Sequence, residues 1–369
     1  MNNENFQTFF DCGFSKIRAG TFNVNNYDEA FYANSEFFTD RSDLEFKIQK
    51  IITSLEKDSK EYIDNINLML DSPKMLSIGI SLSKKFNTAR LKQANVQFLV
   101  QEAKQQILKY YLNHNIVHII INNYKIDGVD YSYLPDKIKC NSVSLDIVFI
   151  CLPTDLIIYF KNIFSKSNIL VNQIISSSYA KSINYKDNLN LSGNSSFIDV
   201  GFNKTSIISY DNNKILSLDI LPIGGNHITK DISKLLEIDL ESSEQKKRNF
   251  DQNLTLSNDK DISVNTLEKI IFARTEEILE LCVKSIESNT YAPDKFTMVL
   301  MGEGSKILDN QHKDKISFLN DINFLEETLE DICQSGLKYV AELNKQEVVV
   351  IAKKQTKQGF FEKLFHFFQ

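Results

Sequence analysis

Long apolar runs, clustered cysteines and an excess of basic residues are all missing from this sequence of 369 residues. No stretch reaches the roughly 20 apolar residues that a membrane-spanning helix needs, and the N-terminus lacks the basic and apolar segments of a secretory signal. The cysteines form no Cys-x-x-Cys pair and have no histidine nearby at metal-ligand spacing; they are Cys12, Cys140, Cys151, Cys282 and Cys333. We therefore expect a cytoplasmic protein with reduced, mostly buried thiols and no metal site of this kind.

The charge and composition of the chain argue against a nucleic-acid-binding protein and for a globular one. The 42 Lys and Arg residues and 48 Asp and Glu residues give a net charge of -6, and the basic residues are interspersed with acidic ones. No basic stripe for nucleic acid is present. The hydrophobic content of 42% and charged content of 24% are typical of a globular protein. The chain is too long for one ordinary compact domain, so we expect two lobes with a core each.

The N-terminal part predicts a β-hairpin followed by a helix. Apolar segments at 6–10 and 17–22 flank a polar turn. Ser42 and Glu45 have the spacing of a capping box, and apolar residues at helical spacing follow, which predicts a helix over 42–65. A strand is predicted at 75–82.

Residues 84–166 have a different texture and predict a compact α+β insertion. A helix is predicted over 96–111, a strand at 116–124 and a buried strand at 145–152. A helix that carries Leu156, Phe160 and Phe164 closes the segment.

The rest of the chain predicts a second hairpin and several helices. After a short strand at 169–175, two strands at 197–210 and 214–221 flank a turn. Ser242 and Gln245 indicate a second capping box. The clearest helix covers 265–288, and a buried strand at 296–301 precedes a glycine-rich turn.

One motif occurs twice. Asp11-x-Gly13 and Asp199-x-Gly201 each stand in a strand–turn–strand unit and are followed by small or hydroxylated residues. Such a pair can clamp a nucleoside triphosphate between two lobes, because glycine lets backbone N–H groups approach phosphate and aspartates hold Mg²⁺ through water. A single Asp-x-Gly is equally typical of an ordinary tight hairpin.

The order of several segments strengthens this interpretation. DCGFSKIRAG, IDVGFNKTSIISY, LPIGGNHITKDISKLL, ESSEQKKR, ARTEEILEL and VLMGEGSKI follow one another at the approximate spacing of the actin/Hsp70 superfamily. The segment LPIGGNHITKDI is similar to the bacterial cell-division family FtsA.

This resemblance covers nearly the whole chain. It implies a bilobed α/β fold, actin-like and ribonuclease H-like, with an inserted α+β subdomain and a C-terminal amphipathic helix. The implied divisions are 5–83 and 167–193 for subdomain 1A, 84–166 for the inserted 1C, 194–225 and 294–344 for 2A, 226–293 for a short 2B, 345–358 for a linker and 359–369 for the helix.

The resemblance also implies an ATP site with Mg²⁺ between the lobes, and no catalytic side chain is singled out. The residues implied to bind the nucleotide fall on two phosphate loops, a nearby turn, a helical pair and an adenosine loop: Asp11, Gly13, Ser15 and Lys16; Asp199, Gly201, Lys204 and Thr205; Gly224, Gly225 and Asn226; Glu244 and Lys247; Gly302, Gly304 and Ser305. Without the family, Glu244 and Lys247 are equally well explained as a solvated helical ion pair.

Several positions depart from the family pattern, and each departure weakens nucleotide chemistry. Phe14 replaces a small hydroxylated residue, Phe202 and Asn203 replace two glycines, and Ser206 replaces an aspartate. The Glu-Pro segment that follows the insertion in the family is replaced here by 176–178. Lys204 replaces a threonine and is expected to compensate in part as a charge on phosphate. We expect weak ATP binding and little or no hydrolysis.

One further feature concerns a protein partner. The resemblance implies that the tail of the tubulin-like protein FtsZ binds subdomain 2B, where Lys260, Lys269 and Arg274 match basic contacts. Charges that merely solvate an exposed face remain the alternative.

The C-terminal segment GFFEKLFHFFQ predicts an in-plane membrane helix. Its apolar face would carry Phe360, Phe361, Leu364, Phe365, Phe367 and Phe368, with Lys363 on the opposite face. From residue 353 onward four Lys and one Glu give a net charge of +3, which favours anionic lipid. A core helix is the alternative, and eleven residues are too few to span a membrane.

The leading functional hypothesis is a peripheral adaptor on the cytoplasmic side of the membrane at the division site. It would bind FtsZ and lipid, self-associate into filaments and recruit other division proteins. The alternatives are an ATP-driven enzyme of the same fold, such as an Hsp70-like ATPase or a sugar kinase, and an actin-like membrane adaptor of the PilM type that serves type IV pili.

Overall fold

The first lobe is built on a five-stranded mixed sheet. The computed structural model describes residues 6–135, 138–212, 214–250, 264–289, 296–307 and 322–342. The sheet has the order β3-β2-β1-β4-β9, with β1 antiparallel to β2 and parallel to β4. Its strands are β1 (Phe6–Cys12), β2 (Ile17–Asn23), β3 (Asn26–Asn34), β4 (Asn65–Leu70) and β9 (Leu170–Ser176).

The second lobe repeats this arrangement. Its sheet has the order β12-β11-β10-β13-β14, with β10 antiparallel to β11 and parallel to β13. The strands are β10 (Ser195–Val200), β11 (Thr205–Asp211), β12 (Lys214–Leu221), β13 (Thr297–Met301) and β14 (Ile322–Phe324). The first predicted hairpin is confirmed as β1 and β2. The predicted single strand 197–210 is wrong: it is two strands, β10 and β11, which pair with each other and repeat the β1–β2 hairpin.

A third sheet lies between β4 and β9 in the chain. It is antiparallel, with the order β5-β8-β6-β7, and is formed by β5 (Leu76–Arg90), β6 (His114–Ile126), β7 (Val129–Tyr131) and β8 (Lys139–Pro153). Helix α2 (Gln93–Tyr110) packs on it and buries Leu99 and Val100 in a core of its own with Phe149. A separate α+β unit is thus present in this part of the chain.

The limits of this unit differ from the predicted 84–166. Residue 84 lies inside β5, which pairs with β8 from Leu76 onward. The closing helix α3 (Thr154–Lys166) packs in the core of the first lobe, where the rings of Phe164 and Phe10 lie 5.1 Å apart. Helical periodicity revealed the apolar face of α3 but not which sheet that face covers.

The remaining helices surround the two large sheets. They are α1 (Leu44–Ser59), α4 (Ser177–Asn188), α5 (Gly225–Leu236), α6 (Leu240–Arg248), α7 (Val264–Asn289) and α8 (Leu329–Glu342), with a 3₁₀ turn at Glu303–Ile307. Helices α4 and α8 pack against each other between the lobes. One core cluster consequently contains both Phe9 of the first sheet and Phe197 of the second. Six of these elements were not predicted from the sequence: β3, β4, α4, β7, β14 and α8.

Both predicted capping boxes are wrong. Helix α1 begins at Leu44, ends at Ser59 rather than near residue 65, and has no side-chain cap, because the Ser42 hydroxyl donates to Asp40 at 2.6 Å. Helix α6 begins at Leu240, and Asp239 caps it by accepting from the backbone N–H of Ser242 at 2.8 Å. Asp is as good an N-cap as Ser, so spacing alone did not select the right residue.

A buried histidine connects the inserted unit to both neighbouring elements. His118 on β6 is fully buried, and its Nδ1 lies 2.7 Å from the hydroxyl oxygen of Tyr339 on α8. The backbone N–H of Ser176, at the end of β9, donates to His118 Nε2 at 2.8 Å. This ring therefore ties the third sheet to the base of the interlobe cleft.

Candidate nucleotide cleft

The two Asp-x-Gly turns have the same geometry. The backbone N–H of Gly13 donates to the carbonyl of Lys16 at 3.0 Å, and that of Gly201 donates to the carbonyl of Lys204 at 2.8 Å. Each turn follows the central strand of its sheet, and both turns line the same cleft between the lobes. Asp11 and Asp199 stand in β1 and β10, and both are buried.

Two glycines further along the chain, Gly224 and Gly302, let neighbouring loops pack closely. Gly302 has a φ of 97°, and a Cβ there would collide with the carbonyl oxygen of Val200. A Cβ on Gly224 would likewise meet the carbonyl oxygen of Gly201. The amides of Gly225 and Asn226 donate to the carbonyls of Gly201 and Phe202 at 3.0 and 2.7 Å. These amides are thus engaged within the protein.

Buried ion pairs occupy the base of the cleft. Arg18 Nη1 lies 3.2 Å from Asp11 Oδ2, and the Ser177 hydroxyl donates to Asp11 Oδ1 at 2.7 Å. Lys181 Nζ lies 2.9 Å from Asp199 Oδ1 and 3.1 Å from Glu327 Oε1. The side chains of Lys181, Asp199 and Glu327 are each less than a tenth exposed, so these charges are paired almost without water.

Three more ion pairs cross between the lobes. Lys204 Nζ lies 3.0 Å from Asp71 Oδ2, and it also contacts the Ser206 hydroxyl. Arg18 Nη2 lies 2.8 Å from Glu303 Oε1, with Lys16 Nζ at 3.7 Å from the same oxygen. Lys204, which was expected to contact phosphate, is therefore engaged with a carboxylate of the first lobe.

The pKa values follow from this pairing. Burial by itself would raise the pKa of the Asp199 carboxyl, but Lys181 and Lys204 lower it below its usual range. Burial raises the pKa of Glu327 despite the ammonium beside it. Burial also opposes ionisation of Glu303, yet Arg18 and Lys306 lower the pKa of that carboxyl to about 2.

A mostly apolar cavity of about 160 Å³ opens beside these charges. The Arg248 guanidinium lies 4.1 Å from the centroid of the Phe37 ring, and the rings of Phe37 and Phe202 make an edge contact at 5.6 Å across the lobes. The lining also includes Ile228, Phe250 and Ile307. A planar apolar group fits the chemistry of this wall.

The predicted helical pair lies at the same cavity. Lys247 Nζ is 2.6 Å from Glu244 Oε2 and donates to the carbonyl of Gly225 at 3.0 Å. Glu244 also accepts from the Thr229 hydroxyl. Both charged side chains are at most a tenth exposed, so the solvated surface pair considered from the sequence is not what the structure shows.

The other residues of the predicted site lie around the same cleft. Ser15 and Gly304 line the cavity, and Asn226 donates to Asn203 at 2.9 Å. The hydroxyls of Thr205 and Ser305 donate to the carbonyls of Ile223 and Gly302 at 2.8 and 2.7 Å. The structure therefore brings the implied nucleotide residues together.

Sequence reasoning missed the charged partners in this cleft. Arg18, Asp71, Lys181 and Glu327 pair with the residues that it named. A signal existed for Asp71, which directly follows a strand parallel to β1, where polar residues of α/β sheets gather. Lys181 lies one helical turn after 176–178, the segment that replaces the Glu-Pro of the family, and this proximity was a signal for Lys181.

The resemblance implies a magnesium ion in this cleft. Mg²⁺ needs oxygen ligands in near-octahedral geometry. Both oxygens of Asp11 are engaged by Arg18 and Ser177, and Asp199 is bound by the Lys181 ammonium. Within the described part of the chain, no group of three or more His, Cys, Asp or Glu side chains is arranged to hold a metal. The side chains in this arrangement do not fit Mg²⁺.

The predicted partner surface is only partly described. Lys269 is exposed on α7. Arg274 lies on the same helix, but its Nε is 2.5 Å from Asp231 Oδ2 and its Nη1 is 2.7 Å from Glu277 Oε2. Lys260 and the membrane-helix residues 359–369 lie outside the described residues. No helix among the residues that the structure covers is both long and apolar enough to cross a membrane.

The duplicated sheets around a shared cleft define an actin-like α/β fold, and comparison with solved structures agrees. The chain superimposes on a chain of the PilM–PilN type IV pilus biogenesis complex with a TM-score of 0.59 and 11% identity, covering 92% of this chain and 97% of that one. The ethanolamine utilization protein EutJ from Carboxydothermus hydrogenoformans gives a TM-score of 0.52 at 10% identity, covering 90% of this chain and 88% of EutJ.

Sequence comparison points to one family within this fold. Residues 196–345 match the family model described as cell division protein FtsA. The chain is also 23% identical over 314 residues to cell division protein FtsA of Buchnera aphidicola subsp. Schizaphis graminum (strain Sg), which covers 77% of this chain and 72% of that protein. The resemblance to FtsA proposed from the sequence is confirmed.

Proposed function

We propose that this chain is an FtsA-type cell-division adaptor that attaches FtsZ filaments to the cytoplasmic membrane and self-associates into actin-like filaments. The match to the FtsA family over the second lobe supports the division role. The observation that favours an adaptor over an ATPase is the internal pairing of the cleft charges. An actin-like frame is retained, while the groups that would act on ATP neutralise one another.

The two phenylalanines at the phosphate loops support the same conclusion. Phe202 stands where the family has glycine, and its ring contacts Phe37 of the other lobe. The Arg41 guanidinium lies over the Phe14 ring, 4.7 Å from the centroid of that ring. Both bulky residues line the cleft at the two phosphate loops. The site is therefore a degenerate ATP site that binds ATP weakly and hydrolyses it slowly or not at all.

Calorimetry of ATP binding tests this point. Titration of ATP into the full chain should give weak binding, and steady-state phosphate release should be no higher in the wild type than in Asp199→Ala. A sub-micromolar affinity with turnover that Asp199→Ala abolishes would contradict the degenerate site.

The partner surface is proposed to lie on α7. An acidic FtsZ tail would be attracted by the exposed Lys269 and by Arg274 and Lys260. Because Arg274 is held by Asp231 and Glu277, it would contribute through its remaining exposed edge, and Lys269 is the cleaner position to test.

Fluorescence anisotropy with a labelled FtsZ-tail peptide tests this surface. Lys269→Glu should weaken binding at least tenfold, and Arg274→Glu should weaken it less, because Asp231 and Glu277 already hold the Arg274 guanidinium. Lys284→Glu is the matched control, since Lys284 is an exposed lysine near the other end of α7 that pairs with Glu280 at 3.5 Å. Equal affinity for wild type and Lys269→Glu would remove the proposed surface.

Membrane attachment is proposed to depend on the segment 359–369. Its six apolar residues and the basic approach before it have the composition of an interfacial helix. A chain that ends at Gln358 should lose co-sedimentation with anionic liposomes. Binding that persists after this truncation would contradict the proposed attachment.

A further inference from the structure

Lys181 is one of the two most enclosed cations of the cleft, together with Lys204. Its side chain is 7% exposed, and it projects from α4 of the first lobe toward β10 of the second. Its ammonium contacts Asp199 Oδ1 at 2.9 Å, Glu327 Oε1 at 3.1 Å and Glu327 Oε2 at 3.3 Å. A compact positive charge thus bridges carboxylates that meet where the lobes join.

In an actin-like nucleotide site, where nucleotide is generally bound with Mg²⁺, a divalent cation would supply positive charge of this kind. Five carboxylates and four cations line the base of the cleft here, so little negative charge is left to compensate. An added divalent cation would meet the ammonium of Lys181 and the guanidinium of Arg18 at close range, which is repulsive in a site of low dielectric.

We propose that Lys181 is a built-in substitute for the divalent cation, so that the lobes close and the cleft binds its ligand without metal. Lys204 with Asp71 and Arg18 with Glu303 add two further ion pairs between the lobes. The wild-type protein therefore holds its closed cleft through its own side chains. This inference rests on the degenerate actin-like cleft of the proposed function.

Electron paramagnetic resonance of Mn²⁺ added to the full chain tests the proposal. Adding the wild type should leave the signal of free Mn²⁺ unchanged, because its cleft binds no Mn²⁺. Its melting temperature should be the same in EDTA and in millimolar Mg²⁺. ATP, used as a probe, should stabilise the protein equally in both media. Stoichiometric Mn²⁺ binding by the wild type that Asp199→Asn abolishes would overturn the proposal.

A substitution should create the missing metal site. Lys181→Ser removes the ammonium and leaves Asp199 and Glu327 free to accept a cation, so the folded variant should bind Mn²⁺ at least tenfold more tightly than the wild type. A folded variant that binds no more Mn²⁺ than the wild type would also overturn the proposal. If Lys181→Ser does not fold in metal-free buffer, it should fold when millimolar Mn²⁺ is added, and failure of Mn²⁺ to restore folding would also count against the proposal.

These measurements contain neither FtsZ nor lipid. Failure of the adaptor function would leave the Mn²⁺ result unchanged, and a metal-dependent cleft would leave liposome and FtsZ binding unchanged. The two failures are therefore distinguishable.

Discussion

Replacing Lys181 by methionine tests the buried charge network of the cleft. The substitution keeps the length of the side chain and removes its charge, so Asp199 and Glu327 lose the ammonium that contacts both of them. Breaking a buried ion pair by removing one partner costs about 3–5 kcal/mol. Since Lys181 serves two carboxylates, we expect the loss in free energy of unfolding, measured by urea denaturation, to reach this range.

The pH dependence of the same variant provides a second readout. Without the ammonium, the folded-state pKa values of Asp199 and Glu327 should lie above their unfolded values, because burial and mutual repulsion disfavour both charges. A raised carboxyl pKa stabilises the folded state below the unfolded pKa and loses that contribution as the pH rises. The deficit of Lys181→Met should therefore be larger at neutral pH than at mildly acidic pH.

Two comparisons make the test specific. Adding Glu327→Gln to Lys181→Met should restore part of the lost stability. The control is Lys338→Met, which breaks the more exposed pair of Lys338 with Asp187 at 3.0 Å and should cost about 0–1 kcal/mol. A Lys181→Met deficit no larger than that of Lys338→Met, at any pH, would refute the reasoning.

Two further variants test the ends of this network. Glu303→Gln should make the free energy of unfolding depend less on pH in acid. The lowered pKa of Glu303 stabilises the wild type at pH values above the usual carboxyl pKa of 4.5, and this contribution is lost as the pH falls toward about 2. Acid-titrated fluorescence that is identical in both proteins would contradict this. His118→Ala should cost about 2–4 kcal/mol by urea denaturation, since it leaves the buried N–H of Ser176 without an acceptor and opens a cavity. His114→Ala, at a more exposed position on the same strand, should cost far less, and equal costs would contradict the role given to His118.

Local patterns predicted the parts of the fold that local physics determines. The first Asp-x-Gly hairpin, helix α2, helix α7 and the strand β13 were all expected near their observed positions. Periodicity and turn residues suffice for such elements, because each needs only its own residues to be recognised.

The parts that were missed depend on contacts between distant residues. Strand β3 alternates weakly and is largely exposed on its first half, so its pattern is not that of a half-buried strand. Helix α4 is rich in serine and lysine, and nine of its twelve residues are buried between the two lobes. Polar residues so placed have no sequence signature, and tertiary packing overrides their propensity.

Dependence on contacts between distant residues also explains which parts of the cleft could not be predicted. The implied nucleotide residues could be named because their loops are local motifs. The pairing of Lys181 with Asp199 and Glu327 joins α4, β10 and the segment before α8, and no spacing in the chain predicts it. Phe202 was interpreted as a lost glycine, whereas its ring also gains a contact with Phe37 of the other lobe.

The central claim is that this chain bridges FtsZ to a membrane. The most direct measurement is the amount of FtsZ that co-sediments with anionic liposomes in the presence of the full chain, of the chain ending at Gln358, and of Lys269→Glu. We predict that FtsZ pellets with liposomes only when the full wild-type chain is present. Equal amounts of FtsZ in the pellet for all three proteins, or none for any of them, would contradict the account.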